Sequence, residues 1–300
     1  MKPLVLCLDI SESMGYSEPS KLSQATKAAE ITVRTLASNI QLGLVTFDTT
    51  AEVLLNLKPL SRASLQKELK NIVPRGVSCA ADGLTKALDL ILETKAEGTV
   101  VLLTDGRANL SLDKMEGFEG SLDLEKELIE IATKAQQRNI TVHTIAVGED
   151  AFTNTLRAVA ETAEGKYWIA EDYHGLQTPP IEKKKISEKW SLKVHTAPAE
   201  LPSAQPTWTK ESQFLHVAVV SETLFETYKQ RRRAFLINPE NGREARTALV
   251  SVRFKELTGY RKRRPKTAAA VNSGEAILLD KSYRDYLGLD KGAIVELMLY

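Results

Sequence analysis

The feature that most constrains this chain is an apolar run near its start that stops on an acid. Residues 3–15 read P-L-V-L-C-L-D-I-S-E-S-M-G. The run is too short to cross a membrane, and it ends abruptly at Asp9, with Ser11 and Ser13 following at alternate positions. A parallel strand covered on both faces reads as a continuous apolar run, and ligands of open α/β sheets collect at the carboxyl ends of such strands. Asp9, Ser11 and Ser13 are therefore candidate site residues. Asp and Ser after a strand are also ordinary turn and cap residues, so this stretch alone leaves both readings open.

The next 155 residues or so alternate strand and helix patterns, the signature of a mostly parallel, doubly wound sheet with helices on both faces. Apolar residues at helical spacing predict helices over 19–37, 61–72, 79–94, 122–137 and 152–163, and apolar runs predict strands over 40–47, 51–57, 99–104, 140–147 and 166–170. Asp48-Thr49-Thr50 between two strands reads as a hairpin, so one edge strand is expected to be antiparallel. The strand at 99–104 is the second in the chain to stop on an aspartate, Asp105, and the loop ending in Ser78 feeds a helix.

Three loops of such a sheet can open on one edge, which would gather Asp9, Ser11, Ser13, Ser78 and Asp105. Two carboxylates and three hydroxyls are all oxygen donors, which predicts a hard-cation site for Mg²⁺ or Mn²⁺. Weak hydroxyl ligands would leave the ion under-neutralised and attractive to an external carboxylate, so the expected function is docking of a partner's Asp or Glu. At this point the chain resembles the von Willebrand factor type A family and its metal-ion-dependent adhesion site. The resemblance rests on D-I-S-E-S at 9–13, G-V-S-C-A-A-D-G-L at 76–84 and L-L-T-D-G-R-A-N at 102–109. The last run is particularly similar to the type A domain of magnesium-chelatase D subunits. Where the family usually carries threonine, this chain has Ser78. The resemblance implies an adaptor or co-chaperone subunit beside an AAA+ ATPase of the MoxR or magnesium-chelatase kind. Arg107, after the Asp105-Gly106 turn, is expected near the metal rim, where it could guide an acidic partner.

Other chemistries are weaker. Asp9 could be an aspartyl-phosphate nucleophile of a Mg-dependent phosphotransferase, but the position two residues on is Ser11 rather than a second Asp. No G-x-S-x-G, Walker A or H-E-x-x-H run is present, so no enzyme is expected. His143, inside an apolar strand, reads as a hydrogen-bonded core histidine. Cys79 sits where a helix N-terminus could lower a thiol pKa.

From residue 171 the pattern breaks. Pro179-Pro180 and Lys183-Lys184-Lys185 suit a linker. The division expected is a type A domain over 1–172, a linker over 173–190 and a smaller, mainly β, barrel-like interaction domain over 191–300. Short strands are expected at 192–194, 215–220, 234–237, 248–254, 276–279 and 294–299, with little helix. Residues 276–297 weakly resemble one half of a double-psi β-barrel. Beyond residue 186, Lys and Arg exceed Asp and Glu by six while the whole chain carries +1. Arg231, Arg232, Arg233 and Arg261, Lys262, Arg263, Arg264 with Lys266 form the basic clusters, readable as a nucleic-acid or acidic-partner patch or as a charge-defended β edge. Two unpaired cysteines, no stretch near 20 apolar residues and no leader-like start predict a cytoplasmic protein without a membrane span.

Overall fold

The computed structural model describes residues 2–16, 19–37, 39–114, 122–179, 188–197, 217–231 and 233–299. The chain divides into two units: Met1–Gly15, Pro19–Gly148 and Thr155–Glu182 form the first, and Tyr16–Glu18, Glu149–Asn154 and Lys183–Tyr300 the second.

The first unit runs β1 (Lys2–Asp9), α1 (Lys21–Thr35), β2 (Ile40–Phe47), β3 (Ala51–Pro59), α2 (Arg62–Leu69), α3 (Ala80–Leu92), β4 (Gly98–Thr104), α4 (Leu122–Gln137), β5 (Ile140–Ala146), α5 (Thr153–Thr162) and β6 (Tyr167–Ile169). Its six strands are ordered β3-β2-β1-β4-β5-β6. All pair in parallel except β3, which is antiparallel to β2. The expected antiparallel edge strand is therefore present, and its half-exposed alternation suits an edge. By contrast, β1 is buried at every position after Lys2, because helices cover both of its faces. Leu4, Leu6 and Leu8 pack with Leu22, Ala25, Ala29 and Val33 of α1 in one core. Ser20 starts α1, its hydroxyl accepting the Ser23 N–H at 3.1 Å.

The order places β1 beside β4, with Leu8 opposite Leu103. The chain winds away from these strands in opposite directions, so their carboxyl ends form the crevice where such sheets bind ligands. Asp9 and Asp105 stand at those ends.

His143 on β5 accepts the Lys166 N–H through Nδ1 at 2.9 Å and meets the Trp168 ring edge-on at 5.3 Å. Burial, with the Lys166 charge, lowers its pKa to about 4. The folded state thus favours the neutral ring, and that stabilisation is whole above the ordinary value of 6.5 and lost as pH falls towards 4. Relative to His143→Gln, the native chain should lose up to about 3 kcal/mol of unfolding free energy between pH 7 and pH 4. Urea titrations of both proteins at the two pH values check this.

The second unit comprises β7 (Glu188–Thr196), β8 (Val217–Val220), α6 (Glu222–Arg231), β9 (Ala234–Ile237), β10 (Glu244–Arg246), β11 (Ala248–Ser251), α7 (Thr258–Arg263), α8 (Pro265–Asn272), β12 (Ala276–Leu279), α9 (Lys281–Leu287) and β13 (Ile294–Leu299). Its strands form one mixed sheet, β10-β9-β13-β7-β12-β8-β11, in a near-barrel β-domain. Ala218, Val220, Ile277 and Leu279 face one core, while Val217, Val219, Ala276 and Leu278 face another beneath Tyr260, Ala268 and Val271. Both faces are covered, which explains why these short strands read as unbroken apolar runs. More helix is present than the sequence reading expected. These are helices of six to ten residues, too short to show a stable 3.6-residue period.

The residues at 149–154 follow β5 in sequence yet belong to this second unit. Phe152 is fully buried in its core and stacks on Tyr286 at 3.9 Å.

Candidate functional site

The loop after β1, the loop before α3 and the end of β4 converge, and hydrogen bonds hold the three together. Arg75 N–H donates to the Ile10 carbonyl at 2.8 Å and Glu12 N–H to the Gly76 carbonyl at 3.0 Å, stitching the first two loops. Ser78 is fixed from the third: its N–H donates to Asn109 Oδ1 at 2.9 Å, and its carbonyl accepts the Asn109 and Leu110 N–H groups.

Within this frame the five candidate residues share one network. Asp9 Oδ1 accepts the Ser11 N–H at 2.8 Å, and Oδ2 accepts the Ser78 hydroxyl at 3.1 Å and the Thr104 hydroxyl at 2.6 Å. Ser11 and Ser13 hydroxyls lie 3.3 Å apart, and Ser13 Oγ donates to Asp105 Oδ2 at 3.1 Å. Asp105 Oδ1 accepts the Arg107 N–H at 3.1 Å. Asp9 and Asp105 are fully buried, Ser11 and Ser78 nearly so, and Ser13 is partly open. Burial first, then the neighbouring Asp105 charge, raises the Asp9 pKa to about 6 against the pull of the Ser11 and Thr104 bonds. With both oxygens accepting protein donors, Asp9 is an orienting group and not an available nucleophile.

The sequence reading missed the most consequential member. Lys21, first residue of α1, is 1% exposed and places Nζ 2.7 Å from Asp105 Oδ2. Thr104 and Asn109 were also missed. A signal for Lys21 did exist: a cation in the first turn of a helix opposes the macrodipole, and a residue that breaks a local rule points to a tertiary partner.

The Mg²⁺ or Mn²⁺ expectation is corrected here. Among the described residues no group of three or more His, Cys, Asp or Glu could hold a metal ion. The physical reason lies in the donors. Only two carboxylates enter the cluster, their oxygens already accept bonds from protein donors, and a lysine ammonium, not a metal ion, stands against Asp105. The docking of a partner's carboxylate on a metal falls with it.

Arg107, read as a guide for an acidic partner, is buried at 2% exposure. Cys79 is buried too; its Sγ donates to the Ser111 carbonyl at 3.3 Å, and burial pushes the thiol pKa up rather than down. In the second unit Arg261 is committed to backbone: its guanidinium donates to the Val252 and Phe254 carbonyls at 2.8 and 2.6 Å and to Thr258 Oγ1 at 2.9 Å. Lys262, Arg263, Arg264 and Lys266 are exposed on α7 and α8, not on a β edge, and Arg233 is half-buried before β9. Arg232 and the Arg231 side chain lie outside the described residues.

No helix among the described residues is long and apolar enough to cross a membrane. Residues 4–107 match the family model described as the von Willebrand factor type A domain. Over 258 residues the chain is 21% identical to calcium-activated chloride channel regulator 1 of Bos taurus, an alignment covering 82% of this chain and 26% of that protein. Over 114 residues it is 30% identical to the magnesium-chelatase 60 kDa subunit of Rhodobacter capsulatus, covering 37% of this chain and 20% of that protein. The chain thus spans about a quarter of the first relative's length and a fifth of the second's. A solved von Willebrand factor type A structure from Catenulispora acidiphila is similar at 22% identity and a TM-score of 0.46, covering 58% of this chain and 41% of that one. The first unit is a von Willebrand factor type A-fold domain, and a smaller near-barrel β-domain follows it.

Proposed function

We propose that the type A-fold unit is a protein-contact module whose docking face is the carboxyl edge of its sheet. The observation that carries this reading is the placement of its exposed apolar side chains. Six large hydrophobic residues are exposed among the described residues: Val73, Val77, Leu92, Leu112, Leu122 and Ile294. Three of them, Val73, Val77 and Leu112, lie on the connections before α3 and after β4 that lead into this edge, and Leu122 opens α4. Exposed apolar side chains gathered on one edge mark a surface that a protein partner covers, and they cost solubility elsewhere. The buried cluster of Asp9, Ser11, Ser13, Ser78, Asp105 and Lys21 then serves as the rigid base that holds the three loops in register for a partner.

The adaptor role and a partner of the AAA+ ATPase class rest on the resemblance of the three motifs, a cytoplasmic setting rests on the two unpaired cysteines, and the similarity to a magnesium-chelatase subunit supports testing that class first. Val77→Asp and Leu112→Asp should each weaken partner capture by about tenfold or more, the scale of losing one buried interface contact, without changing the unfolding midpoint. Leu92→Asp, at the opposite end of α3, serves as the control. Equal capture by all three variants and the native chain removes this face from the account.

A further inference from the structure

We infer that Lys21 is the resident cation of the site, an ammonium tethered to the fold at the carboxylate where the family resemblance places a divalent ion. Three features support this independently of whether the edge docks a protein. The first is the ion pair itself, 2.7 Å between Nζ and Asp105 Oδ2 with both side chains buried. A lysine near a surface normally runs its stem over apolar groups and keeps its charge in water; this one turns its charge inward.

The second is a space made for the stem. Gly148 has φ +87°, and a Cβ built there would lie 2.7 Å from Lys21 Cε, 2.9 Å from Cδ and 3.0 Å from Cγ. The glycine after β5 thus meets two demands at once, a left-handed backbone and a close pass over the lysine. Its N–H adds a bond to Gln24 Oε1 at 3.3 Å, one turn along the helix from Lys21.

The third is the way Asp105 is shared. Oδ2 accepts both the ammonium and the Ser13 hydroxyl, while Oδ1 accepts the Arg107 N–H. A divalent ion ligated at Oδ2 would stand within a few ångströms of the ammonium and repel it strongly at so buried a position. The tether has a consequence for regulation: the cation at this site is part of the chain, and contact at this edge does not follow the concentration of free divalent cations.

The test uses the full chain and Mn²⁺ alone, chosen because its paramagnetism reports binding without reference to stability. Thermal unfolding of the native protein should give the same midpoint in EDTA and in millimolar Mn²⁺, and the free Mn²⁺ resonance should lose no amplitude at equimolar protein. Lys21→Met should lower the folding equilibrium constant roughly 10²- to 10⁴-fold, the scale of breaking a buried pair from one side. Should that variant fail to fold, Lys21→Arg, which keeps the charge, should fold and remain indifferent to Mn²⁺. A midpoint of the native chain that rises saturably with Mn²⁺, stoichiometric Mn²⁺ uptake, or a Lys21→Met variant as stable as the native chain overturns the inference.

Discussion

Phe152→Ala is expected to destabilise the second unit by about 3–5 kcal/mol. The ring is fully buried among Leu192, Val194, Leu236, Ile277 and Val295, and it stacks on Tyr286 at 3.9 Å while lying 6.0 Å from Tyr283. Its truncation would remove the filling of a close-packed core and leave a cavity that neighbouring strands can only partly close. The residues beside it are anchored: Arg246 N–H donates to the Ala151 carbonyl at 3.0 Å, and the Tyr228 hydroxyl to Glu149 Oε2 at 2.7 Å. The segment therefore cannot shift to fill the gap. Hydrogen exchange of the β7, β12 and β13 amides reads the effect directly; it should accelerate by two or more decades if exchange follows unfolding of the unit. Unchanged protection would mean that Phe152 is a guest in this core and not part of it.

The second large effect is at Asp105. Asp105→Leu removes the carboxylate that neutralises Lys21 and leaves an ammonium with 1% exposure without its counter-charge. Breaking a buried pair from one side costs about 3–5 kcal/mol, because the remaining charge loses its counter-charge while staying out of water, whereas replacing both members by apolar side chains is often nearly neutral. The double variant Lys21→Met with Asp105→Leu should therefore regain most of what Asp105→Leu loses. Urea unfolding of the three proteins and the native chain measures this. Asp9 would respond as well, since the charge of Asp105 is one cause of its raised pKa.

Much of the type A-fold unit is legible in the sequence because its burial is extreme. β1 and β4 are covered on both faces, so each reads as an apolar run ending on an acid. Asp9, Ser11, Ser13, Ser78 and Asp105 can be grouped from the sequence alone, because parallel strands deliver the loops at their carboxyl ends to one edge. The identity of the cation cannot be read in this way. Lys21 looks like the polar first residue of an amphipathic helix, and only the turn of its stem beneath Gly148 reveals where its charge goes. Oxygen donors at metal-like spacing predict a hard ion equally well whether or not a lysine closes the pocket.

The second unit is less legible for a different reason. Its strands of three to six residues beyond β7, and its short helices, leave little periodicity to detect. Phe152 looks like the start of a helix of the preceding domain, and no local pattern assigns it to a core assembled from strands that begin at Glu188. β10 is three residues long, and its Glu-Ala-Arg composition carries no strand signal.

At the centre of the candidate site, Lys21 and Asp105 act as one charge-matched unit. A double-mutant cycle over Lys21→Met and Asp105→Leu, read by urea unfolding, tests this most directly. A favourable coupling of at least about 2 kcal/mol is predicted, because each single substitution leaves one buried charge of the pair without the other and the double substitution leaves neither. Additive effects, with coupling within about 0.5 kcal/mol of zero, would contradict it and leave the site without its resident cation.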